Sequence, residues 1–328
     1  MTPGLSANTK AILLLTAPLI SGKQNEPFPL LTPGEYKKLA SHLRELGREP
    51  SELISSDSSS LLHECDPVIS RDRLKQLLGR AFLLGPVVEA WQSRSIWVVS
   101  GTDAEYPHVL TEKLGENAPA IVYGCGERRV LETGGLAIVG SRDADPNAIE
   151  FTETTGRLAA TSGKTVVSGG ARGIDQAAMR GALNAGGTAV GVLADSLNRA
   201  VINRENRKVL YEGNLTLISP YDPNAGFNVG NAMQRNKLIY ALAEAALVVS
   251  TDLDKGGTWS GAKEQLDRFR FGPVFVRQVE TASPGLDALH AKGAALWPNP
   301  RDEDEFTQVF SHESHEKVTP QDSNLTLF

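Results

Sequence analysis

From residue 135 onward the sequence alternates short apolar runs with longer amphipathic ones, and no other feature restricts the fold as tightly. The apolar runs are "GLAIVG" (135 to 140), "KTVVSG" (164 to 169), "TAVGVLA" (188 to 194), "LTLISP" (215 to 220), "AALVVS" (245 to 250) and "PVFVRQ" (273 to 278). Each has the length of a strand, and helical runs fill the gaps, one opening at Pro146 and one after Gly256 and Gly257. Strands that are apolar almost throughout must be covered on both faces, and the intervening helices supply that cover. The pattern predicts an α/β fold with a mostly parallel sheet and helices on both faces.

In such sheets ligands gather beyond the C-terminal ends of the strands. The polar residues fall there: Ser141 and Arg142 after the first run, residues 169–172 after the second, Asp195 after the third and 251–257 after the fifth. The stretch "VVSGGARGIDQAAMRGAL" (166 to 183) reads as a strand, a turn on Gly169 and Gly170, and a helix with Asp175 in its first turn. A helix N-terminus behind a glycine turn presents backbone N–H groups to an anion, which makes phosphate the expected ligand class. Asp175 reads equally well as an acid that stabilises its own helix. At "VGSRDAD", Gly140 permits close approach of a phosphate, while Ser141 and Arg142 supply donors. Arg235, Asn236 and Lys237 are expected near a helix start, where two cations oppose the helix dipole and so point to an external anion. "RENRK" (204 to 208) adds Arg204, Arg207 and Lys208 on another helix, read as facing solvent.

The glycine spacings match neither the dinucleotide fingerprint GxGxxG nor the P-loop GxxxxGK[ST]. A nucleophile elbow, an HExxH helix and a Ser-His-Asp set are also missing. No catalytic residue, resident metal or cofactor is therefore expected. "SHESHE" (311 to 316) is the only close histidine pair, and its polar setting argues against a metal site.

Upstream, "TPGEYKKLASHLRELG" (32 to 47) predicts a helix with Thr32 and Glu35 as a capping box and Pro33 at its first position. "AILLLTAPLI" (11 to 20) predicts a buried helix, too short to span a bilayer. Two further short helices, broken at Gly79 and at Gly85-Pro86, complete a helical region ending near residue 95. The expected organisation is an N-terminal helical domain (1–95), a strand-containing lead-in (96–130), the α/β core (131–298) and an acidic mobile tail (299–328). Of the net charge of −6, that tail carries −5, so the body is near neutral and charge does not exclude a basic groove. Cys65 and Cys125 match no ligand cluster and read as reduced thiols of a cytoplasmic protein.

"VGSRDAD", "SGGARGIDQAAMRGAL", "GGTAVGVLA", "RNKLIYALAEAALVVS" and "GGTWSGAKE" resemble, in order and spacing, the successive blocks of the DprA/Smf family of DNA-processing proteins. The likeness spans roughly 130 to 290, and the preceding "GTDAEYPHVLTEKLGENAPAIVYGCG" resembles the family's lead-in. It implies an extended Rossmann-like fold that binds single-stranded DNA, forms a homodimer and takes part in natural transformation. It also implies loading of a RecA-type recombinase and displacement of single-strand-binding protein. Carried over by position, its phosphate pocket comprises Gly140, Ser141, Arg142, Ser168, Gly169, Arg172, Gly173, Asp175, Arg235, Asn236 and Lys237, with Gly256 and Gly257 in the late loop, and Gly170 completes the turn. Met179 stands where the family usually has histidine, and no C-terminal winged-helix module is expected. A weaker likeness links "KGGTWSGAKE" to the LOG-type phosphoribohydrolases, which would give Arg235 and Glu264 roles in cleaving a nucleoside monophosphate, but Trp259 interrupts that loop.

Overall fold

The computed structural model describes residues 4–19, 29–279 and 283–310. Along the chain run α1 (Ala7–Thr16), α2 (Pro33–Glu45), α3 (Ser59–Glu64), α4 (Arg71–Leu78), α5 (Leu84–Gln92), β1 (Trp97–Ser100), α6 (His108–Leu114), β2 (Ile121–Cys125), β3 (Leu136–Val139), α7 (Pro146–Thr161), β4 (Val166–Ser168) and α8 (Ile174–Asn184). There follow β5 (Ala189–Val192), α9 (Leu197–Ile202), α10 (Arg204–Tyr211), β6 (Leu215–Ser219), α11 (Val229–Ala241), β7 (Ala245–Val248), α12 (Gly256–Glu264), β8 (Val274–Val276), α13 (Pro284–Ala291), β9 (Ala295–Leu296) and α14 (Glu303–Gln308). The chain forms two compact units, one of Met1–Glu132 with Val190–Leu238 and the other of Thr133–Ala189 with Ile239–Phe328.

In the second unit the strand order is β4-β3-β7-β8-β9, with every neighbouring pair parallel. All residues of β3, β4, β7 and β8 are buried, so both faces are covered, as their unbroken apolar character requires. Helices α7 and α8 pack closely because two glycines allow it. A Cβ on Gly156 would lie 2.4 Å from the Ala178 carbonyl oxygen, and one on Gly181 would lie 2.3 Å from that of Glu153. Leu136, Ile138, Val166, Ile174, Leu247 and Phe275 form the core between sheet and helices. The six predicted strands of this alternating region are all present, and the mostly parallel α/β class follows from them.

The acidic C-terminal stretch departs from its expected character. Residues 303–308 form α14, and Phe306 is fully buried against Trp297, ring centroids 6.0 Å apart. The acids that suggested a tail lie exposed in the first turn of this helix, where Glu303, Asp304 and Glu305 complement the dipole behind the Asp302 cap. One aromatic residue at an inward position outweighs a polar composition. "SHESHE" lies outside the described residues.

In the first unit β1, β2 and β6 pair antiparallel, and β5 lies beside β6. An N-terminal helical stretch precedes them. Helix α1 buries Ala11, Ile12, Leu13, Leu14 and Leu15, and its C-terminal carbonyls at Leu14 and Ala17 accept from the buried Arg80 guanidinium. A cation at that end satisfies carbonyls the helix cannot pair itself. The predicted capping box of α2 is present: Thr32 Oγ1 accepts from Glu35 N, and the Glu35 carboxylate accepts from Thr32 N. The break at Gly79 is a 3-10 turn, whereas Gly85-Pro86 opens α5 instead of interrupting a helix. A proline in the first turn loses no intrahelical bond. Among the described residues no helix is long and apolar enough to cross a membrane. Cys65 and Cys125 are both buried free thiols, and burial pushes both up from the ordinary thiol range.

Candidate functional site

Three loops leave the C-terminal ends of β3, β4 and β7 in the second unit, and the structure ties them together. After β3, a Cβ on Gly140 would lie 2.5 Å from Ile174 Cγ1, so only glycine lets the start of α8 pack against this strand end. The Gly140 carbonyl accepts from Thr258 Oγ1 of α12 at 3.1 Å. The Ser141 N–H donates to Ser250 Oγ, just beyond β7, at 3.0 Å. The Ser141 carbonyl accepts from Ile174 N at 3.3 Å, and its hydroxyl accepts from Asp143 N at 3.2 Å. Ser250 and Thr258 thus brace the site.

After β4, the Ser168 hydroxyl is fully buried and donates to the Ile138 carbonyl at 2.6 Å, a sheet-bracing role. Gly169 is buried, Gly170 turns the chain at φ 68°, and Gly173 does so again at φ 87° as the N-cap of α8. Asp175 is buried in the first turn, and its carboxylate accepts from Ala171 N at 3.4 Å. It therefore holds the glycine turn onto its helix. The first donors of α8 are partly committed, since Ile174 N goes to Ser141 and Gln176 N to the Ala171 carbonyl at 3.1 Å. The charged rim of the site is left to side chains. Arg142 is exposed, and the exposed Arg172 is ion-paired with Asp143.

After β7, Gly256 is exposed at φ 79° as the first residue of α12, whose N-cap Lys255 is also exposed and makes no side-chain capping bond. Gly257 and Thr258 follow, half-buried. Lys255 adds a third cation at a strand end. Its place directly before the Gly256-Gly257 pair is the signal in the sequence that marks it.

Arg235, Asn236 and Lys237 belong to the first unit, on α11. They are not near its start, because the helix opens at Val229, a full turn and more earlier. The dipole argument for an external anion at this segment therefore falls. The helix starts upstream because Asn228 caps it there, its Oδ1 accepting from Asn231 N at 3.1 Å. Arg235 is buried, and Asn236 and Lys237 are half-buried. Burial raises the Tyr221 phenol above its ordinary range, and the positive charge of Arg235 partly offsets this. Glu264 closes α12, half-buried, with Arg268 Nη1 3.6 Å from its carboxylate, and Trp259 is packed inward. A cavity of about 520 Å³ beside α7 is lined by Phe151, Leu158 and Trp297 among others, and none of the candidate residues lines it. Among the described residues no group of three or more His, Cys, Asp or Glu side chains could hold a metal ion.

The sequence profile of the DNA recombination-mediator protein A family matches residues 97–308. Protein Smf of Escherichia coli is 32% identical over 193 residues, covering 56% of this chain and 50% of that protein. Protein Smf of Synechocystis is 27% identical over 229 residues, covering 66% and 56%. The chain thus spans about half the length of these curated relatives. Among solved structures, DNA processing protein A of Streptococcus pneumoniae superposes with a TM-score of 0.68 at 18% identity, covering 94% of this chain and 99% of that one, a likeness of fold. DNA processing protein A of Helicobacter pylori, described for its single-stranded DNA binding mode, gives a TM-score of 0.52 at 26% identity over 65% of this chain and 94% of that one. The profile match embraces the strand ends that carry the glycine loops, and the chain belongs to the DNA recombination-mediator protein A family, also called DprA/Smf.

Proposed function

We propose that this chain binds single-stranded DNA by its phosphates at the loops that follow β3, β4 and β7, and that it does so without turnover. The observation that carries the reading is the bracing of three glycine-containing loops by the Gly140–Thr258, Ser141–Ser250 and Ser141–Ile174 hydrogen bonds, with Arg142, Arg172 and Lys255 exposed on those loops. Fixed backbone with cations above it suits a phosphate without reading base identity. Contact with phosphates makes binding fall with salt and stay nearly indifferent to sequence. A flexible single strand follows such a surface better than a stiff duplex. The site supplies cations, hydroxyls and backbone donors, whereas hydrolysis would need a metal or a poised base. Glu264, the candidate for a hydrolase role, has Arg268 as its neighbour, and Trp259 interrupts the loop that such enzymes share.

Family likeness alone supports the rest: a role for Arg235, Asn236 and Lys237 as phosphate contacts on the first unit, a homodimer, delivery of the bound strand to a RecA-type recombinase past single-strand-binding protein, and a cytoplasmic setting. The decisive experiment is a fluorescence-anisotropy titration with a labelled oligothymidylate, comparing wild type with Arg142→Ala/Arg172→Ala. We expect a loss of about 1–3 kcal/mol for each charge-assisted contact removed. Superimposable curves would refute the assignment. Sedimentation with and without the oligonucleotide tests the dimer, and a mass near 35.2 kDa throughout would count against it.

A further inference from the structure

Helix α10 is eight residues long, and none of them is buried. It rests on α9 and β6 through the half-buried Asn206, Val209 and Leu210, with Asn206 Nδ2 donating to the Ala200 carbonyl at 2.9 Å. Its outer face carries Arg204, Arg207, Lys208 and Tyr211, at the i, i+3, i+4, i+7 spacing that aligns side chains along one side of a helix. All four are exposed, Tyr211 to 94%. Lys208 has Glu212 at 3.7 Å, while Arg204 and Arg207 enter no ion pair among the described residues. Arg204 also occupies the first position of the helix, where a cation opposes the dipole. Folding accounts for the Lys208–Glu212 pair but not for the rest. The ring gives up the burial that normally stabilises an aromatic side chain, and Arg204, Arg207 and Lys208 set three like charges side by side on one helix face.

We propose that this face of α10 is a contact surface for single-stranded nucleic acid, with a base stacked on the Tyr211 ring and adjacent phosphates held by Arg204, Arg207 and Lys208. The proposal rests on the reading of this chain as a nucleic-acid binder, and it adds a surface outside the strand-end loops. An exposed aromatic ring flanked by cations is the combination that unpaired strands use, because every base offers a flat face for stacking. In a duplex those faces are already covered. An acidic peptide would engage the cations but leave the ring without a matching plane.

The native tryptophans Trp91, Trp97, Trp259 and Trp297 are all buried, so Tyr211→Trp introduces one exposed indole as a local reporter. The probes are an oligothymidylate of roughly twenty nucleotides, a duplex of the same length and a polyglutamate peptide. We expect oligothymidylate to quench the new indole strongly and the other two to leave it nearly unchanged. Tyr211→Ala weakens oligothymidylate binding about five- to hundredfold, the fold-change that stacking of one base is worth. Arg204→Gln/Arg207→Gln lowers the salt slope by about 1.4, from two phosphate contacts on a single strand. Binding seen by anisotropy without quenching, with Tyr211→Ala unchanged, overturns this surface and leaves the strand-end reading intact. Quenching by polyglutamate alone overturns it in favour of an acidic protein partner. Absence of any oligonucleotide binding by wild type overturns both readings together. The substituted side chains are exposed, so circular dichroism should show an unaltered fold.

Discussion

A Cβ on Gly173 would lie 2.4 Å from the carbonyl oxygen of Ser141, and Gly173 holds φ at 87°. Two loops that leave neighbouring parallel strands therefore touch through a point where no side chain fits. Gly173→Ala must open that contact and also hold a backbone angle that side chains disfavour, a cost of about 1–3 kcal/mol. We expect a lowered unfolding midpoint in urea together with weaker oligonucleotide binding. An unchanged midpoint would show that the loops part without penalty.

The ion pair between Arg172 and Asp143 joins two exposed side chains, 74% and 83% accessible. At that exposure it adds little to stability, but it does hold a cation that the proposed ligand would use. Asp143→Asn should shift stability by less than about 0.5 kcal/mol. Binding of oligothymidylate should tighten, with a salt slope steeper by about 0.7 if Arg172 gains one phosphate. Weaker binding would mean that Asp143 positions Arg172 instead of occupying it.

Acid stability carries the mark of Glu35. The Arg73 guanidinium, followed by the Thr32 backbone N–H, holds its carboxyl down to about 2 from an ordinary 4.5. A carboxylate depressed in the folded state stabilises fully above its unfolded value and loses that contribution as pH falls through its folded one. The advantage of wild type over Glu35→Gln should thus be constant above about pH 5 and shrink between pH 4.5 and 2. Urea titrations at stepped pH measure it. A gap that does not narrow would remove the Arg73 pairing as its source.

Phe306 is fully buried, next to Trp297 on one side and Phe310 on the other, centroids 6.0 and 5.5 Å away. Phe306→Ala should destabilise the second unit by about 3–5 kcal/mol, the usual cost of emptying a buried aromatic site. Denaturant unfolding followed by the fluorescence of the four buried tryptophans measures this. A change below about 1 kcal/mol would return this segment to the role of a tail.

Much was legible because it depends on local chemistry. The period-free apolar runs located β3 to β8, since a strand covered on both faces has no polar side to show. Thr32, Pro33 and Glu35 located the start of α2, because a capping box is satisfied within four residues. The glycine turns at 169–173 and 256–257 were legible for the same reason, as the positive φ at Gly170, Gly173 and Gly256 favours glycine. The start of α11 is set locally as well, since Asn228 Oδ1 accepts from Asn231 N and caps the helix, but residues 229–234 are mostly exposed and carry no apolar stripe to announce the turn that follows the cap. Strand β9, two residues long, was missed because so short a run has no period to detect.

By itself, then, the sequence determined the strands, their glycine turns and the family that shares their order. Each of these follows from which side chains and backbone angles a short segment tolerates. Only the tertiary structure decided what those turns hold. It gave Ser168 to the Ile138 carbonyl, Thr258 to the Gly140 carbonyl and Arg172 to Asp143, pairings that span 30, 118 and 29 positions. A hydroxyl or guanidinium has the same composition whether it braces a loop or awaits a phosphate. What separates the two is the partner that folding brings within reach, and that partner is set by the packing of distant strands.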